Sequence, residues 1–281
     1  MPFSLDELLA AYSAYRRFIA CKPNPRHIRY IFPLFEGTYF TYRKIDVLRL
    51  TNIAKSISAR PSFIDIGCGY GDFLMKMREQ ISNAIGVEKE YSLFHLLRKP
   101  KPDYIYLDSI EGFAKKPRDI AFVGWMEPGI DFRKFVASLA KCIVTTFDEG
   151  GQCGINGGCE YEEFGFKRIA HWRTPSWIDV NTELMNKYYT TSLLSRENIR
   201  HQLESLRSSH NLWHVYSKTE ISDDVRNALH DWLRNEEFIM ERYDFESILD
   251  ECGYHFKEKL PTSISKDPLW EVIFDEDYTY S

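Results

Sequence analysis

Residues 63–71 read FIDIGCGYG: a short run that is apolar except for Asp65, then a glycine at every second position. An apolar run introduced by Pro61 reads as a buried strand, and glycines directly after it let the chain turn sharply and admit a ligand where a Cβ would clash. The same rhythm continues to about residue 147. Strands are expected at Phe63–Ile66, Asn83–Val87, Tyr104–Leu107, Ile120–Gly124 and Cys142–Thr146. Helices are expected at Asp72–Gln80, Tyr91–Arg98 and Phe132–Lys141, with a short turn near Ile110–Phe113. Strands alternating with helices predict an α/β fold, a doubly wound, mostly parallel sheet with right-handed crossovers.

The acid narrows the ligand. A carboxylate at the strand end is a good partner for a cationic amine and a poor neighbour for a pyrophosphate. The spacing is G-x-G-x-G followed by Asp72, not the G-x-G-x-x-G of dinucleotide turns. Both features point away from NAD and towards a cofactor bearing an ammonium group.

An apolar run, an acid, a small apolar residue and G-x-G-x-G together resemble the first motif of the class I S-adenosylmethionine-dependent methyltransferases, with their Rossmann-like sheet. The resemblance implies that Asp65, Gly67, Cys68, Gly69 and Gly71 surround S-adenosyl-L-methionine. In "AIGVEKE" it places Glu88, 21 residues after Gly67, where family members grip both ribose hydroxyls. In "YIYLDS" it offers Asp108 to the adenine amino group, and "FVGWMEPG" stands at the substrate-facing motif after the fourth strand. That last motif departs from the N/D-P-P-Y/F signature of many enzymes that methylate amino groups of bases or Gln side chains. The resemblance covers residues of about 60–150.

Methyl transfer requires alignment, exclusion of water and removal of a proton where the acceptor carries one. Glu127, after the fourth strand, is the first candidate base or substrate anchor, and His171 in "AHWRTPSWID" is the second. Each also has a structural reading, a loop orienter for Glu127 and packing beside a tryptophan for His171. Cys153, Cys159 and His171 match no tight zinc spacing, so no metal is expected.

Outside the core, residues 1–58 read as helices, one over LDELLAAYSAYRRFI with Ser4 and Glu7 as a capping box and one from Arg43 to Ile57. Residues 59–151 form the cofactor-binding core, 152–240 a mainly helical insertion over the site, and 241–281 a helix with the last two strands. "FKRIAHW" is one candidate for the sixth strand, but the carboxy-terminal pair, His255–Leu260 and Trp270–Phe274, is preferred because a helix at Phe245–Cys252 precedes it.

Charge divides the chain. Residues 1–60 hold ten Lys/Arg against four acids, a net of +6, which leaves −11 for the rest. The leading function is therefore methylation of a small or medium-sized acceptor enclosed by an acidic, aromatic-rich body. An RNA-modifying enzyme using the basic amino-terminal segment is the alternative, and a non-catalytic partner protein with the same fold a third. DNA is not expected as a partner, and the oligomeric state is left open. No run of about 18 apolar residues occurs, and the six scattered cysteines read as reduced thiols, so the expected location is cytoplasmic.

Overall fold

The computed structural model describes residues 5–31, 42, 44–90, 94, 100–113, 116–124, 126–147, 153–155, 160–174, 184–185, 188–189, 212–235 and 271–275. Helices α1 (Leu5–Ala20), α2 (Pro25–Ile31) and α3 (Lys44–Ile57) precede the sheet. Next come β1 (Phe63–Ile66), α4 (Asp72–Gln80), β2 (Ile85–Glu88), β3 (Ile105–Leu107), α5 (Ile110–Phe113), β4 (Arg118–Val123), α6 (Arg133–Leu139) and β5 (Ala140–Phe147). A 3-10 turn at Glu162–Phe164 then leads to β6 (Phe166–Arg173), followed by β7 (Leu212–Lys218), α7 (Ser222–Asn235) and β8 (Ile273–Phe274).

Among the described residues the eight strands form one sheet in the order β3-β2-β1-β4-β5-β7-β6-β8. The first five are mutually parallel, and the β5–β7, β7–β6 and β6–β8 pairs are antiparallel. The order reverses between β1 and β4. Open α/β sheets bind ligands outside the carboxyl ends of their strands at such a switch point. This is the doubly wound, Rossmann-like sheet expected from the methyltransferase resemblance.

The end of the sheet differs from expectation. Its sixth and seventh strands are Phe166–Arg173 and Leu212–Lys218, and of the favoured carboxy-terminal pair only Ile273–Phe274 is a strand among the described residues. Both lie in the stretch expected to be a mainly helical insertion. The physical reason is in the residues: LWHVYSK alternates Trp213 and Val215 towards one core and His214 and Tyr216 towards the opposite face, a period of two. Apart from Phe94, the Tyr91–Arg98 helix lies outside the described residues, as do the Ser4 cap, the Phe245–Cys252 helix and the His255–Leu260 strand.

Two cores flank the sheet. One holds Phe63, Phe73, Phe122, Val144, Trp172 and Trp213 beneath the amino-terminal helices, and the other holds Ile64, Ile66, Val123, Ile143 and Tyr216 beneath α6. Amphipathic spacing makes α3 the bridge to the first. Its Asp46 accepts a 2.8 Å hydrogen bond from Trp172 Nε1, and the Arg49 guanidinium lies 5.1 Å from the Trp172 ring centroid. Trp172 stacks on Trp213 at 5.3 Å, and Trp213 on Phe122 at 5.5 Å. Burying Asp46 and Arg49 completely requires this pairing, because an uncompensated buried charge is costly. Among the described residues no helix is long and apolar enough to cross a membrane.

Candidate functional site

The glycine turn is built by the ends of two strands. Gly67, Gly69 and Gly71 have φ of 70°, 55° and 77°, the left-handed region that a Cβ disfavours. The Gly67 N–H donates to the Val87 carbonyl at 2.8 Å, and the Gly71 N–H to the Cys68 carbonyl at 2.8 Å. Glu88, the last residue of β2, then clamps the turn: its Oε2 accepts the Gly69 N–H at 2.8 Å and its Oε1 the Glu90 N–H at 2.9 Å. Close packing supports this from below. A Cβ on Gly86 would stand 2.5 Å from Cys68 Sγ, so the second strand needs a glycine opposite Asp65.

Asp65 is 3 % exposed, and its carboxylate accepts no hydrogen bond among the described residues. Burial, then the nearby Asp72 and Glu88 charges, push it well above the usual carboxylate range. Burial also raises Glu88, against the lowering pull of the Glu90, Gly69 and Lys89 amides, and the Glu127 charge raises it further. Burial and the charges of Asp65 and Glu88 drive the Cys68 thiol up, which makes it a filler and not a nucleophile. The turn thus carries two buried acids whose charged forms are disfavoured, and a cation is what relieves them.

Asp108 follows β3, is exposed, and bends back so that Oδ1 accepts the Ser109 N–H at 2.8 Å. Its backbone N–H donates to the Glu88 carbonyl at 3.1 Å, which sets it at the same crest of the sheet. Glu127 reaches that crest from the loop after β4 and pairs with Lys89 Nζ at 2.7 Å. The loop is held by reciprocal bonds to residues 153–155, Gly129 N–H to the Gly154 carbonyl at 2.8 Å and Gly154 N–H to the Met126 carbonyl at 3.2 Å.

His171 is not brought to this place. Register puts Ile66, Val123, Thr145, His214 and His171 in one row across the sheet. Those side chains share the face opposite Asp65, and His171 lies three strands from β4, about 14 Å away at the usual interstrand spacing. There it joins a second polar group. Its Nδ1 is 3.7 Å from Asp275 Oδ1, an ion-pair and not a hydrogen-bond distance, while Arg168 grips Asp275 with a two-pronged contact at 2.8 and 3.0 Å. Burial would raise Asp275, but His171 and Arg168 outweigh it and hold it at about 2. His214 stands 5.8 Å from His171 between ring centroids, and burial, then Arg168 and His171, press it down to about 3.

Lys89 and His214 were not foreseen. Lys89 sits directly after Glu88 in sequence, but its partner is 38 residues away and no local pattern joins them. His214 could have been placed by the period-two pattern of its strand. Among the described residues no group of three or more His, Cys, Asp or Glu could hold a metal ion. Trp125 and Cys159 lie outside the described residues.

No protein-family model and no curated protein sequence matches the chain. Its similarity is to solved structures. They include the sugar N-methyltransferase KedS8 from Streptoalloteichus, 15 % identical over 38 % of this chain and 49 % of that one, with a TM-score of 0.30. A SAM-dependent methyltransferase from Archaeoglobus fulgidus is 15 % identical over 62 % and 94 % with a TM-score of 0.38. The cyclopropane synthase MmaA2 from Mycobacterium tuberculosis is 14 % identical over 62 % and 83 %, at 0.40. The chain spans about half the length of KedS8. A likeness this distant concerns the course of the chain, and the chemistry has to be argued from the site itself.

Proposed function

We propose that this chain is an S-adenosylmethionine-dependent methyltransferase acting on an enclosed small or medium-sized acceptor. The observation that carries the reading is Asp65: a buried carboxylate that accepts no hydrogen bond among the described residues, beside a glycine turn at a topological switch point. Such a group is costly unless a cation meets it. When bound, the cofactor supplies a methyl group on a sulfonium, and the acceptor lone pair takes that methyl as the carbon–sulfur bond breaks, leaving the electron pair on sulfur.

The chain's own residues divide the remaining work. Asp65 receives the cofactor's ammonium group, the glycines give it room, and Glu88 accepts from the ribose hydroxyls with the lone pairs its two amide donors leave open. Asp108 stands at the adenine end. Glu127 orients the acceptor and takes its proton, and His171, on the opposite face, acts only through packing of the sheet's far end. The acidic crest favours a neutral or cationic acceptor over an anionic one.

An RNA substrate is the second reading, favoured by one feature: α1 exposes Tyr12, Arg16 and Arg17 together, with Arg16 Nη1 donating to Tyr12 Oη at 3.3 Å. Calorimetry tests the cofactor. Wild-type protein is expected to bind S-adenosylmethionine and S-adenosylhomocysteine but not NAD, with binding of the first lost in Asp65→Asn. Binding of NAD, or unchanged affinity in the variant, overturns the assignment.

A further inference from the structure

Lys89 and Glu127 do more than decorate the crest. Val87, Ile66 and Val123 form one row, so β2 and β4 flank β1 and lie about 10 Å apart at the usual interstrand spacing. Lys89 is two residues beyond that row on one side and Glu127 four residues beyond it on the other. Their 2.7 Å contact therefore spans the end of β1, over the turn that begins at Gly67. We propose that this ion pair is a gate across the cofactor crevice, closed when the crevice is empty and opened by the cofactor; the inference rests on the cofactor reading above.

Three properties suit a gate better than a strut. The Lys89 side chain is 50 % exposed and that of Glu127 21 %, so the pair is solvated and cheap to open. Lys89 is a compact charge on a flexible four-carbon stem, able to swing into water without leaving a buried vacancy. The Glu127 charge also acts on Glu88. Moving Lys89 away takes a cation from Glu127, and a sulfonium arriving in the crevice brings one back. The demethylated product has a neutral sulfur and lacks that compensation. Lys89 is thus a positioning residue that trades places with the cationic form of the cofactor and closes again on Glu127 after the charge is lost.

The test is calorimetry with S-adenosylmethionine and S-adenosylhomocysteine on full-length wild type, Lys89→Met, Glu127→Gln and the double variant. Opening a solvated pair predicts that Lys89→Met tightens both ligands about two- to fivefold. Glu127→Gln is expected to tighten the product alike while narrowing or reversing the preference for the sulfonium, and the double variant to match Glu127→Gln. High salt should tighten wild-type product binding and leave Lys89→Met unmoved. Wild type that binds both ligands while Lys89→Met is unchanged or weaker overturns the gate and spares the cofactor reading. Wild type that binds neither overturns both.

Discussion

Glu88 Oε2 accepts the Gly69 N–H at 2.8 Å, so the carboxylate that ends the second strand fixes the turn that ends the first. One side chain therefore serves the fold before it serves a ligand. Removing it in Glu88→Ala frees the Gly69 and Glu90 amides, and hydrogen bonds to a charged acceptor contribute about 1.5–3 kcal/mol. Expected are a lower melting temperature, faster hydrogen exchange at Gly69 and Glu90, and at least tenfold weaker cofactor binding. Unchanged exchange at Gly69 would show that the turn holds without its clamp.

Asp65 should be worse for the empty protein than an amide. Its folded-state pKa is raised above the unfolded value, so the folded form retains a proton that the unfolded form has released. Stability is then present below about pH 4 and declines as pH rises through the raised value. Asp65→Asn is expected to raise the melting temperature at neutral pH, to change little below about pH 4, and to lose the cofactor. Binding of a cation to wild type should release protons in the same window, read as a dependence of the calorimetric heat on buffer ionisation. An Asn variant no more stable than wild type at pH 7 would contradict this.

Acid should also act at the far end of the sheet. His214 is depressed to about 3, so the unfolded chain binds a proton that the folded one refuses, and stability falls as pH drops from about 6.5 through 3. Asp275, held at about 2, adds a second loss that begins below about pH 4. His214→Gln keeps an acceptor for Tyr216, whose hydroxyl lies 3.1 Å from His214 Nδ1. It is expected to flatten the melting-temperature profile between pH 6.5 and 4 and leave the lower limb in place. An unaltered profile would mean the imidazole is not kept neutral.

The glycine turn of the candidate site was legible because its parts are local. A strand, an acid and a glycine turn are contiguous, and β1 and α4 fall at Phe63–Ile66 and Asp72–Gln80 as the periodicity places them, while the short turn expected near Ile110–Phe113 is the one-turn helix α5. What a short window does not carry is pairing between distant segments. LWHVYSK has strand periodicity, yet whether it joins β5 or forms a surface hairpin depends on Trp213 finding Phe122 and Trp172, 91 and 41 residues away. His171 illustrates the same point. As a histidine it was a candidate base and its tryptophan neighbour suggested packing, but only register shows it facing away from Asp65.

The two substrate readings separate on salt. An enclosed acceptor predicts no measurable binding of a short single-stranded RNA at low salt. An RNA substrate predicts binding whose logarithmic salt slope drops by about 0.7 for each phosphate contact removed, as in Arg16→Gln and Arg17→Gln. Arg16 and Arg17 are exposed, so these changes leave the core intact.

Glu127 is the residue on which the acceptor chemistry turns. If it takes the acceptor's proton, Glu127→Gln keeps the shape and the reach but removes the basicity, and transfer of labelled methyl into the acceptor fraction of a cell extract should fall by about 10²–10⁴. Cofactor affinity should move at most several-fold, because the proposed reading gives that ligand to Asp65, Glu88 and Asp108. The separation between the two effects is the diagnostic quantity. Lys89→Met, which leaves the carboxylate in place, should retain transfer within several-fold of wild type. Glu127→Gln with full transfer returns Glu127 to a loop orienter held by Lys89, and loss of cofactor binding together with transfer would place it among the cofactor's own ligands.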